Sequence, residues 1–135
     1  MPRGSRRESR ERALELLYEA EAKGQPPVEV VAGLTLRPEP FVVELVTGVE
    51  ARGDELDEVL GRLAKGWAVD RMAVLDRAIL RIGAFELLAC PETPVAVVIS
   101  EAVELAKRYS TEESGKFVNG VLAGVAAEVR PPAEG

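Results

Sequence analysis

Residues 94–122, PVAVVISEAVELAKRYSTEESGKFVNGVL, decide the fold. Val95, Val98, Ile99, Ala102, Leu105, Ala106 and Tyr109 recur at helical spacing and share one face, while Ser100, Glu101, Glu104, Lys107 and Arg108 take the other. This predicts a helix over 94–109. Ser110 and Thr111 offer oxygens to free backbone donors, and Glu112 and Glu113 suit the positive end of a following helix. That helix buries Val118, Val121, Leu122, Val125 and Val129, with Phe117, Gly120 and Gly124 beside the buried face. A glycine within a helix costs about 1 kcal/mol relative to alanine. The pair therefore predicts close backbone approach at that strip.

Working outward, the same periodicity predicts five more helices and no strand. They cover 5–23, 28–34, 39–52, a stretch from the Gly53-Asp54 N-cap to 65, and 70–89 capped by Asp70. Gly24, the Pro26-Pro27 pair, Gly66 and Cys90-Pro91 are the breaks. The 70–89 segment is apolar nearly all round, the mark of a buried central helix. Trp67 just before it reads as a plug of the core, and Asp76, Arg77, Arg81 and Glu86 as solvated edges and internal ion pairs. The expected fold is all-α, one bundle of about seven helices over 1–130, followed by a frayed tail at 131–135.

Composition narrows the function. The 135 residues contain no histidine and one cysteine, Cys90. The commonest general base and metal ligand are thus absent, as is any intramolecular disulfide or multi-cysteine zinc site. No glycine-rich phosphate loop follows a strand. An enzyme, a cofactor and a bound metal are not expected. No secretory leader or membrane span is read from the sequence, which predicts a cytoplasmic protein.

Charge supplies the positive signal. The net charge is −6, yet residues 1–12 carry five arginines against Glu8 and Glu11. Arg3, Arg6, Arg7 and Arg10 stand at i, i+3, i+4 and i+7, within an arc of roughly 100° on a helix. Leu14 and Leu17 continue that stripe, so the arginines are expected to project past the core. They also sit at the wrong end of the helix dipole. A local rule broken in this way often marks function. Guanidinium forks suit phosphate, and exposed aromatics suit unpaired bases. On this reading Arg6, Arg7 and Arg10 grip an RNA backbone, with Tyr18 and Phe117 as candidate stacking platforms. The alternatives are that the arginines pair with the acidic body and that both aromatics pack at the core edge.

Three stretches carry a resemblance: EAVELAK with ESGKFVNGVL (101–107 and 113–122), WAVDRMAVLDRAILRIGAFELL (67–88) and RRESRERALELLY (6–18). Together they resemble the NusB family of bacterial transcription antitermination factors. The resemblance implies an all-helical, non-enzymatic adaptor that binds boxA RNA of nascent transcripts, chiefly from ribosomal RNA operons. It also implies NusE, a small-subunit ribosomal protein, as partner within an antitermination complex on RNA polymerase. By the same resemblance, Arg6, Arg7 and Arg10 match the family's arginine-rich start, and Phe117 and Asn119 its RNA-contacting KFVNG segment. Glu113 matches an acidic position affecting RNA affinity, and Asp76 an acidic position at the NusE interface. Glu8 departs from the pattern by interrupting the arginine run. Two other readings stay open: a protein-interaction module, perhaps homodimeric, without specific RNA binding, and a NusB-like domain of an RNA cytosine methyltransferase.

Overall fold

Helix starts follow local chemistry. Ser5 Oγ accepts the Glu8 N–H at 3.0 Å while the Glu8 carboxylate accepts the Ser5 N–H at 2.8 Å, a reciprocal cap that opens α1 (Arg6–Lys23). Gly24, at φ 63°, closes it in the left-handed conformation that a side chain would strain. Prolines occupy the first position of α2 (Pro27–Ala32) and α3 (Pro40–Ala51), where their missing N–H costs nothing. Then come α4 (Gly53–Leu63), α5 (Val74–Ala89), α6 (Val95–Tyr109) and α7 (Glu112–Val129). Thr111 caps α7 by accepting the Ser114 N–H at 2.9 Å. The computed structural model describes residues 5–130, and these seven helices are its α-helices, with no strand among the described residues.

The central helix is the one expected. Helix α5 packs against α1, α3, α4, α6 and α7, and Ile79, Leu80, Ile82, Ala84 and Leu87 are buried in one contiguous core. Two glycines let helices close on it. A Cβ on Gly48 would lie 2.3 Å from the Phe85 ring, and one on Gly83 would lie 2.6 Å from a Leu122 methyl. The C-terminal end is held by Arg130, whose guanidinium donates to the carbonyls of Leu87, Thr93, Glu86 and Cys90. Among these, Leu87 and Cys90 lie at the end of α5, where carbonyls lack partners within the helix. No helix among the described residues is long and apolar enough to cross a membrane.

Four expectations are corrected. First, α5 does not begin at Asp70. Residues Val69–Arg71 form a single 3₁₀ turn, and Met72 and Ala73 are extended. Met72 is buried there, and Arg77 donates to the carbonyls of Val69 and Met72, so tertiary packing overrides the capping signal. Second, Trp67 is no plug: it is 54% exposed. Third, close approach is absent at Gly120, where a Cβ would meet nothing within 4 Å. At Gly124 it would make ordinary contact with Leu63. Fourth, the arginine stripe does not project whole past the core. Arg10 is 3% exposed, a charged member of the interior. Arg3 lies outside the described residues.

Candidate nucleic-acid interface

The start of α1 is built on two arginine–carboxylate forks at different depths. Arg10 Nε and Nη2 each donate at 2.7 Å to the two oxygens of Glu86 on α5, and both side chains are almost fully buried. Burial pulls the Arg10 pKa down, but the Glu86 hydrogen bonds and charge more than offset this and hold it above its ordinary value. Arg10 is therefore committed to the protein itself. Its sequence reading as a phosphate contact conflicts with this placement, because a surface phosphate would have to displace a buried carboxylate.

Arg7 repeats the arrangement at the surface. Its Nε and Nη2 donate to the Glu101 carboxylate on α6 at 2.9 and 2.8 Å. Those bonds hold the Glu101 carboxyl below the usual carboxylate range, against the opposing effect of its burial. Arg6 has another neighbour: its guanidinium carbon lies 3.8 Å from the centroid of the Phe41 ring on α3. Arg6 makes no ion pair among the described residues. The ring seats the guanidinium while its donors stay available, a geometry suited to a bound anion.

Arg7, Glu11 and Tyr18 follow one stripe of α1, of which Arg7 and Glu11 pair with α6. Arg108 and the Tyr109 hydroxyl both donate to Glu11. Tyr18 is 49% exposed, so its ring is available. In the α6–α7 turn, Ser110, Thr111 and Ser114 share hydrogen bonds and Ser114 Oγ donates to Asp76 Oδ2 at 2.9 Å. The turn is thereby tied to the first turn of α5.

Beyond that turn lies a surface groove of 570 Å³, lined by Trp67, Met72, Ala73, Asp76, Glu113, Ser114, Lys116 and Phe117. Trp67 meets Phe117 edge to face with ring centroids 6.1 Å apart. Phe117 is half-buried. Asp76 Oδ1 is buried with no hydrogen-bond partner among the described residues. Three residues singled out by resemblance, Asp76, Glu113 and Phe117, thus meet in one place. Asn119 is exposed on α7 but lines a separate groove with Val103, Lys107 and Lys116, and Lys116 borders both. Sequence reasoning missed Trp67 as a groove wall, Phe41 as the seat of Arg6 and Glu101 as the partner of Arg7. All three are long-range contacts that no local spacing encodes.

Known proteins complete the picture. The sequence model of the NusB family matches residues 7–127. The transcription antitermination protein NusB of Salinispora tropica is 48% identical over 129 residues, spanning 90% of this chain and 95% of that protein. NusB of Thermobifida fusca is 48% identical over 125 residues, spanning 90% of this chain and 88% of its own. The structure of T. maritima NusB superposes with a TM-score of 0.86 at 32% identity, covering 96% of each chain. A chain in the crystal structure of antitermination factors NusB and NusE with double-stranded RNA superposes with a TM-score of 0.77 at 28% identity, covering 91% of this chain and 96% of that one. With the family model matching residues 7–127 and a relative 48% identical over 90% of its length, this chain belongs to the NusB family.

Proposed function

We propose that this protein is a non-enzymatic transcription antitermination factor that binds boxA-type single-stranded RNA together with NusE. The observation that carries the reading is the start of α1, where Arg6 sits on the Phe41 ring with its donors open and Arg7 lies exposed beside it in sequence. Guanidinium donors suit phosphate, and the exposed Tyr18 ring and the half-buried Phe117 ring offer faces for bases. Arg6 is the principal phosphate contact and Arg7 a second. Arg10 supports them from within, by fixing α1 to α5. Tyr18 and Phe117 offer stacking surfaces, Asn119 a base-edge donor and acceptor, and Glu113 sets the local charge.

Asp76 supports the NusE side of the reading. A half-buried acidic side chain in the groove wall, beside the exposed Trp67, suits a basic protein partner. Because Asp76 and Phe117 line one groove, RNA and partner would meet along a common border. The net charge of −6 disfavours strong RNA binding by this chain alone, so a partner adding positive charge fits the same scheme. The test is capture of purified NusE by the wild-type chain and by Asp76→Lys. Loss of NusE affinity with retained binding of RNA alone is expected. Undiminished NusE affinity would remove Asp76 from the interface.

A further inference from the structure

Arg6 and Arg7 are neighbours in sequence but differ in availability. Arg6 is seated on a ring with its donors unpaired among the described residues, whereas Arg7 has its fork filled by Glu101. A carboxylate and a phosphate offer an arginine the same pair of acceptor oxygens. The two partners in this fork are also unequally anchored. The Glu101 side chain is 15% exposed, held in the wall of α6, while the Arg7 side chain is 59% exposed and can swing outward. Any phosphate that takes Arg7 must therefore draw it away from a carboxylate that stays behind.

Resting on the RNA-binding reading, we propose that Glu101 is an affinity-setting residue, an internal stand-in for phosphate that holds Arg7 closed. The same pattern recurs two turns along, where Arg108 is taken by Glu11. RNA approaching this edge finds Arg6 ready and its neighbours engaged. Each engaged arginine lowers affinity for every RNA, so stable binding comes to require the additional contacts of a partner. Glu101 has no catalytic or base-contacting part in this account; it acts through Arg7.

The test compares Glu101→Gln with Glu104→Gln in the full chain, using a labelled boxA-type RNA. Glu104 is exposed one turn further along α6 and makes no hydrogen bond to Arg7, so its variant removes the same charge without opening the fork. Glu101→Gln is expected to tighten RNA binding about two- to fivefold, the worth of an exposed ion pair, and Glu104→Gln by clearly less. An equal gain from both would mean that bulk charge alone is at work, and no gain or a loss from Glu101→Gln would mean that Glu101 presents Arg7 rather than blocks it. Either result overturns the proposal while leaving RNA binding intact. Absence of binding by the wild type and both variants would overturn the RNA reading and this proposal together.

Discussion

Arg10 shows how one residue can satisfy a motif and yet do different work from its neighbours. It stands in register with Arg6 and Arg7, but the α1 stripe turns inward at that turn and Glu86 meets it there. Removing one partner leaves an uncompensated buried charge, so Arg10→Ala or Glu86→Ala should cost about 3–5 kcal/mol in urea unfolding. Arg6→Ala should change stability by no more than about 1 kcal/mol, the scale of an arginine–ring contact, and should weaken RNA binding. If Arg10→Ala unfolds no more easily than the wild type, the buried pair is not the anchor described. Cys90 adds a pH prediction. Burial, reinforced by Glu44, Glu86 and Glu92, pushes its thiol from 9.0 up to about 11. Between those values the unfolded chain gives up its proton first, so Cys90's contribution to stability is intact below pH 9 and is lost as pH rises toward 11. Unfolding midpoints across that range, compared with those of Cys90→Ala, measure it. The arginine spacing was legible in the sequence. Which arginine was interior was not, because Glu86 lies 76 residues away.

At the scale of elements, glycines separate what sequence can and cannot say. A glycine in a helix is costly anywhere, so Gly120 and Gly124 drew attention, but the close approaches are at Gly48 and Gly83. Gly48→Ala should destabilise by about 1–3 kcal/mol, because Phe85 must move. Gly120→Ala, facing open space on α7, should stabilise by about 0.5–1 kcal/mol. Thermal or urea unfolding of the two variants checks the contrast, and similar shifts would contradict it. The bounds of α1 and α6 and the start of α7 were legible almost to the residue from apolar period, the Gly24 break and the Ser110-Thr111 turn, whereas the Ser5–Glu8 cap is seen only in the structure. The start of α5 was not. Asp70 has a cap's chemistry, but Met72 is drawn into the core and Arg77 takes the carbonyls that a longer helix would have used. Trp67 is a related case, since a large apolar residue reads as core unless its neighbour Phe117 is known.

At the scale of the molecule, an acidic body carries a cationic edge whose charge is largely pre-neutralised. Arg7, Arg10 and Arg108 each hold a carboxylate from another helix, and Arg6 holds a ring. The ion pairs stitch α1 to α5 and α6 and keep the edge in shape. That arrangement fits an adaptor of moderate intrinsic affinity rather than a strong, indiscriminate RNA binder. Phe117→Ala should cost about 1–3 kcal/mol of RNA binding where a base stacks on the ring. A matching loss of thermal stability with unchanged RNA affinity would instead make Phe117 part of the groove wall alone. The central claim is that Arg6, Arg7 and Phe117 read single-stranded RNA in concert with NusE. It is tested most directly by titrating a labelled boxA-type RNA and a scrambled control, with and without NusE, across a salt series. Selective binding that tightens with NusE is the predicted result, with a log–log salt slope that flattens by about 0.7 when Arg6 is replaced by alanine. Capture of NusE without binding of either RNA would contradict it.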